Sequence, residues 1–263
     1  MPELPDVEIF RQYLNQTSLH KRIQKCRVLD TDILGQVSKS RLQSILKDNQ
    51  FVESMRHGKY ALARLEKSHW LVFHFGMTGF LKYFKKEKSR PEHLRLVMDF
   101  SNGYHLGYDA VRKLGQIELA KDPKSFADDK NLGIDALDKN LTFDMFQELI
   151  SQKRQMGVKS FLMRQDVLCG IGNIYSDEIC FQARLNPKKK IAQLGDDDLK
   201  TFFESIQSVL ETAIDCRANP EKLPDSFIIP QRKKNGHCPG CGGPVQHTKI
   251  SGRSAYYCAS CQQ

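Results

Sequence analysis

The sequence predicts an α+β multidomain protein: an N-terminal helix plus an antiparallel β-sandwich, then a helical domain, then a C-terminal zinc-finger β-hairpin. Three observations carry that reading. Short β-favouring runs crowd residues 22–120, apolar residues then recur at three- and four-residue intervals to about residue 216, and the last 26 residues hold two C-x-x-C pairs.

The first helix is expected to start near Pro5, a residue suited to a first turn, with Val7, Phe10 and Leu14 on its buried face. The runs KRIQKCRV, KYALARL, WLVFHF, LRLVMDF and GQIELA read as strands broken by Gly, Asn, Asp and charged turns. Only SRLQSILKDN, residues 40–49, interrupts them as a helix. FDMFQELIS, VKSFLMRQDVL, IYSDEICFQARL and DDLKTFFESIQSVLETAID then carry the helical period. Residues 217–237 contain Pro220, Pro224 and Pro230 and read as a linker or loop. The expected domains are therefore 1–120, 121–216 and 238–263, with 217–237 between the last two.

Forty Lys and Arg against 31 Asp and Glu give a formal charge of +9, which suits a polyanionic partner, nucleic acid first, although a solvated basic surface has the same composition. The best apolar run, Trp70 to Met77, is strand-length, so no membrane partner is expected. The N-terminus carries no basic and apolar leader pattern, and a soluble, cytoplasmic, nucleoid-associated protein is the expectation.

Cys238, Cys241, Cys258 and Cys261 pair as two C-x-x-C motifs with sixteen residues between them. That spacing matches four thiolates around one tetrahedral Zn2+ and leaves room for a β-hairpin. A closed four-sulfur shell offers no position to water or substrate, so the ion is expected to be structural. Disulfides, or His237 or His247 as substitute ligands, compete with this reading; the reducing compartment and the four available thiols weigh against them.

Other stretches are weaker signals. GIGN, residues 170–173, places two glycines between helices, where backbone N–H groups and the next helix's positive end could hold a phosphate, or where the glycines simply turn a corner. RHGKY, residues 56–60, and HFGMTGF, residues 74–80, each offer a Gly-containing turn beside Lys59 or Met77. Those two side chains alone read as solvated and as core. The opening MPELPDVE raises a further question, because trimming of Met1 would leave Pro2 with a free secondary amine.

In order, PELPDVE, RHGKY, HFGMTG, GIGNIYSDE and the four-cysteine finger with GRSAYYC resemble the formamidopyrimidine-DNA glycosylase / endonuclease VIII family of base-excision repair enzymes, the start PELP being closer to the formamidopyrimidine branch. The resemblance implies a helix–two-turn–helix in the helical domain, a catalytic N-terminal domain, and a DNA glycosylase that is also an abasic-site lyase. Its partner would be double-stranded DNA containing oxidised bases or abasic sites. The chain would act as a monomer, with no catalytic metal or organic cofactor.

By the same resemblance, Pro2 is the nucleophile, Glu3 the acid–base group, and Lys59 the hairpin lysine that completes the catalytic set and binds a phosphate beside the lesion. Asn173 and Arg253 would clamp phosphates around the everted nucleotide, with His74 and Lys159 as further phosphate contacts. Met77, Arg112 and Leu114 would fill the space the base leaves. The alternatives are an endonuclease VIII-like enzyme for oxidised pyrimidines and a catalytically silent DNA-binding relative. Three positions depart from the family pattern: Asp6 stands where Glu is usual, Leu114 where the formamidopyrimidine branch has an aromatic residue, and residues 217–237 look short for a loop covering an everted purine.

Overall fold

The structure, a computed structural model, describes residues 1–263. Two compact bodies divide the chain, one of residues 1–2 and 6–130 and the other of residues 3–5 and 131–263. Helix α1 (Leu4–Ser18) begins beside Pro5 as its proline predicts, and Val7 and Leu14, one face apart by two turns, are buried in the first core.

In the first body, β1 (Arg22–Val28), α2 (Lys39–Leu46), β2 (Asn49–His57), β3 (Tyr60–Leu65), β4 (Trp70–His74), β5 (Gly79–Phe84), β6 (Leu94–Phe100), β7 (His105–Ala110) and β8 (Gln116–Ala120) follow α1. The strands form one antiparallel sheet in the order β5-β7-β6-β1-β2-β3-β4-β8. β1 and β2 share only two residue pairs, Arg22 with Gln50 and Ile23 with Asn49, and the sheet parts there into two four-strand halves. Phe51, Phe73 and Ile117 from one half meet Ile23, Met98 and Tyr108 from the other in a single core. That is the expected sandwich. Ser38 caps α2 by accepting the Arg41 N–H at 3.3 Å, and Leu42 and Leu46 close one end of the same core.

This body runs to Lys130 rather than ending near residue 120. Asp122 accepts the Ser125 N–H at 2.9 Å and starts α3 (Pro123–Asp129), whose Phe126 lies edge-on to Tyr60 at 5.1 Å. Lys130 then pairs with Glu118 of β8 at 2.8 Å.

The second body contains β9 (Ile134–Asp135), α4 (Phe143–Ser151), α5 (Val158–Leu162), β10 (Leu168–Cys169), α6 (Asn173–Gln182), α7 (Asp196–Asp215), β11 (Gln246–Ile250) and β12 (Arg253–Tyr257). Phe146 of α4 is packed among Phe161, Phe202 and Phe203, with centroids 5.2 to 5.9 Å away. α5 is shorter than the periodicity of VKSFLMRQDVL implies. The Gln165 amide donates to Met163 O and Ile171 O and accepts the Gly170 N–H, and so folds the chain into a loop instead. No helix is long and apolar enough to cross a membrane.

Residues 217–237, read as a linker or loop, form a packed loop. Their prolines limit them to short 3-10 turns, but Leu223 and Phe227 are buried in the helical core, and Ile228 packs with Phe181 and the finger cysteines. The buried Glu178 carboxylate of α6 accepts the N–H groups of Ile228 and Ile229 at 3.2 and 2.9 Å. Burial pushes the Glu178 carboxyl up from 4.5 to about 7. Between those values the folded chain keeps a proton that the unfolded chain has lost, so this group's contribution to stability falls as pH rises through the window and is constant above it. Glu178→Gln, which cannot ionise, is expected to flatten the decline of the urea midpoint between about pH 5 and 7. An unchanged slope in the variant would remove Glu178 as its cause.

Candidate active site

In the first body the expected side chains stand on three connections of the sheet, β2–β3, β4–β5 and β7–β8, and at the end of β4. Lys59 is in the two-residue turn between β2 and β3, where His57 faces Tyr60. His74, at the end of β4, pairs in register with Tyr60 and its ring lies 4.9 Å from the Tyr60 ring. Burial lowers the His74 pKa, and the charges of Lys59 and Lys130 lower it further against the opposing pull of Glu118. The imidazole is thus neutral near pH 7 and offers a hydrogen bond, not a charge, beside the Lys59 ammonium.

Met77 and Leu114 stand on adjacent loops, 40% and 53% exposed, with Val111 and Phe80 as further exposed apolar side chains. The loops touch backbone to backbone. Gly76 has φ 58, and a Cβ there would lie 2.4 Å from Gly115 N and the Leu114 carbonyl carbon, so only glycine permits the approach. The Arg112 N–H donates to Thr78 Oγ1 at 3.0 Å, and Tyr108 donates to His74 O at 2.9 Å. Arg112 itself is exposed between Val111 and Leu114. Sequence reasoning assigned neither Val111 nor Phe80 a role; Phe80 is the second residue of β5 and Val111 directly follows β7.

The second body places the start of the chain on α6. Glu3 is 1% exposed, and its carboxylate accepts N–H groups from Gly172 (2.8 Å), Ile174 (2.8 Å) and Tyr175 (3.2 Å). Of the GIGN corner, the Gly172 amide, together with the two amides just beyond it, is thus taken by the chain's own carboxylate. Gly172 is required for it, because a Cβ would sit 2.4 Å from the Glu3 carboxyl carbon. Leu4 N–H donates to Gly170 O at 3.0 Å, fixing the same segment from the next residue.

Lys159 is not available to DNA. It is 0% exposed, and its ammonium donates to Asp177 Oδ1 at 2.5 Å, Ser176 Oγ at 2.9 Å and Asn173 O at 3.1 Å. The helical spacing put it on α5 correctly, but the face it occupies is turned to α6. Arg232, from the 217–237 loop, donates to Asp177 Oδ2 at 2.9 Å and Asn173 O at 3.3 Å, and its guanidinium carbon is 5.2 Å from the Tyr256 ring centre. Asp177 also accepts the Tyr256 N–H at 3.2 Å. One buried carboxylate therefore joins α5, α6, the 217–237 segment and the hairpin. Sequence reasoning missed Asp177 and Arg232; the acidic pair Asp177–Glu178, one helical turn beyond GIGN, was the one available signal. Lys159→Met would leave Asp177 buried with a single cation, and a loss of about 3 kcal/mol in urea-unfolding free energy is expected. A loss under about 1 kcal/mol would mean that Arg232 alone suffices.

Asn173 opens α6, and its side-chain oxygen is buried with no hydrogen-bond donor on it. Arg253 opens β12, exposed, with Nη1 3.4 Å from Met163 Sδ. Asn173 and Arg253 thus start two different elements, and Arg253 stands outside the Asp177 cluster.

The four finger cysteines carry their Sγ atoms within 4.8 Å of one another, Cys238–Cys261 at 3.7 Å and Cys241–Cys258 at 3.5 Å. Disulfide sulfurs would be about 2.05 Å apart. Four thiolates at Zn–S distances of about 2.3 Å on a tetrahedron stand about 3.8 Å apart, so the residues fit a structural Zn2+. β11 and β12 form the hairpin between the two pairs.

Residues 1–117 match the family model of the formamidopyrimidine-DNA glycosylase N-terminal domain, and residues 132–223 that of the formamidopyrimidine-DNA glycosylase H2TH domain. The chain is 31% identical over 274 residues to the formamidopyrimidine-DNA glycosylase of Syntrophomonas wolfei, and 28% over 277 residues to that of Pelotomaculum thermopropionicum, covering all of this chain and 100% and 99% of theirs. It belongs to the formamidopyrimidine-DNA glycosylase family. Among solved structures it resembles the Lactococcus lactis enzyme non-covalently bound to DNA containing an AP site, with 26% identity, 99% of each chain covered and a TM-score of 0.90. The same enzyme with DNA containing FAPY-dG matches at 25% identity, covering 99% of this chain and 100% of that one, with a TM-score of 0.89.

Proposed function

We propose that this chain is a bifunctional base-excision repair enzyme, a DNA glycosylase and abasic-site lyase acting on oxidised bases in duplex DNA, as a monomer in the nucleoid-bearing cytoplasm. The observation that carries the reading is the triple hydrogen bond from the α6 N-terminus to Glu3, which fixes the residue next to Pro2. An amine that attacks one carbon of a nucleotide must be held still, and a buried neighbour tied to three backbone amides does that.

With Met1 removed, the Pro2 nitrogen lone pair forms a bond to C1′ of the damaged nucleotide as the C1′–base bond breaks and the base leaves with a proton. Opening of the sugar gives an iminium between Pro2 and C1′. Loss of a proton from C2′ expels the 3′ phosphate, and a second elimination expels the 5′ phosphate. Glu3 is the group proposed to move protons at the sugar, and Lys59 to bind the phosphate beside the lesion. Met77, Arg112 and Leu114 are proposed to enter the stack where the base was, and Asn173 and Arg253 to hold the phosphates of the everted nucleotide. His74 would contribute a neutral hydrogen bond.

Zinc-loaded protein assayed on duplexes with formamidopyrimidine, 8-oxoguanine, dihydrouracil, thymine glycol or an abasic site tests the reading. Cleavage of formamidopyrimidine and abasic duplexes is expected, with weaker action on 8-oxoguanine and some on oxidised pyrimidines. The arginine at position 112 suits an orphaned cytosine, whereas Leu114 in place of an aromatic side chain grips less. A preference for thymine glycol and dihydrouracil would make the chain endonuclease VIII-like. Binding with no cleavage of any duplex would make it a silent relative.

A further inference from the structure

The loop between β7 and β8 is held in an unfavourable shape by charges that the proposed reaction does not use. Lys113 has φ 51, a left-handed conformation that a lysine adopts only when its surroundings hold it there. Its ammonium is 2.6 Å from Asp30 Oδ2 and 3.1 Å from Asp32 Oδ2. Asp30 also accepts the Asp32 N–H at 3.0 Å, which caps the 3-10 turn Thr31–Ile33, and its Oδ2 is 3.4 Å from Arg95 Nη1. The Arg95 Nε donates to Ala110 O at 2.9 Å, at the start of the same loop. The hydrogen bond from Lys113 keeps the Asp30 carboxyl below the usual carboxylate range.

Single exposed ion pairs do little. Here, however, one half-buried carboxylate meets two cations that grip the loop at Ala110 and at Lys113. The residues between and just beyond are Val111, Arg112 and Leu114, all exposed. With two carboxylates around it, Lys113 is neutralised and is a poor phosphate ligand. Its charge serves the loop.

We propose that Asp30 is a positioning residue: through Lys113 and Arg95 it sets the shape of the 110–114 loop, and with it how well Arg112 and Leu114 replace an extruded base and read the partner it leaves. This rests on the function proposed above and deepens it. A lesion must be pulled from a paired stack and the gap filled, whereas an abasic site has no base to extrude. The brace therefore matters for lesions and little for abasic sites.

The test uses zinc-loaded full-length chain with Lys113→Asn, Asp30→Asn and the double variant. Asparagine tolerates the left-handed backbone without carrying charge, so the first variant keeps the fold. Each is assayed on abasic duplex and on formamidopyrimidine opposite each of the four bases. Expected is a loss of kcat/KM on the lesion opposite cytosine of roughly 5-fold, narrower discrimination among opposite bases, and abasic-site cleavage within about 2-fold of the unsubstituted chain. The double variant should be no worse than either single one. Equal losses on lesion and abasic duplexes, no loss on either, or additive losses would overturn the proposal. Failure of the function itself reads differently, as no cleavage of any duplex by the unsubstituted chain.

Discussion

Borohydride reduction on an abasic-site duplex is expected to link the chain to DNA through the Pro2 nitrogen, and Pro2→Gln is expected to give no adduct. Glutamine is too large for Met1 to be trimmed, so the terminal amine moves by one residue, about 3.5 Å, away from the point that Glu3 fixes. Lesion cleavage should fall by at least about 1,000-fold, because the nucleophile is displaced rather than weakened. Abasic-site affinity should change little, since the phosphate contacts are proposed for Lys59, Asn173 and Arg253 and not for Pro2. An adduct of full yield in the variant, mapped by peptide analysis to a lysine, would refute the role of Pro2.

The second large effect concerns the finger. Cys241 is the exposed member of the four thiols, so Cys241→Ser removes a zinc ligand without opening a cavity. Zinc content is expected to fall from one per chain towards none. Duplex affinity should drop by roughly 100-fold as the hairpin carrying Lys249 and Arg253 loses its anchor, because metal binding in such small units is the larger part of their folding free energy. Full duplex affinity in a zinc-free variant would mean that the hairpin holds without the ion. Zinc retained at one per chain would mean that three thiols suffice.

The reasons some features were legible in the sequence and others were not are physical. Val7 and Leu14 declare α1, and KYALARL and WLVFHF declare β3 and β4, because packing against one core imposes a period. β2, β5 and β7 went unread: β5 starts inside HFGMTGF, where the glycines look like turn alone, and β7 carries Gly107 at its centre. The cysteine spacing specifies its finger directly, since four sulfurs around one ion is a local geometry. The surroundings of Lys159 and of the GIGN amides are illegible in sequence for a shared reason. A charge or a free N–H in sequence looks available to a ligand, and only tertiary packing reveals that Asp177 and Glu3 already occupy them. Arg232 was hidden behind prolines that correctly exclude a regular helix but do not exclude burial.

The Asp177 carboxylate also sets how this half of the molecule breathes. Its partners come from α5, from the segment after α7 and from the hairpin amide of Tyr256, so no one of these strands of chain can open while the others stay closed without stranding a buried anion. Amide exchange at Tyr256 should then proceed at the rate of the first turn of α6, although the two lie some eighty positions apart in sequence. The finger and the helix corner would behave as one cooperative unit, and local opening of either would be recorded at the other.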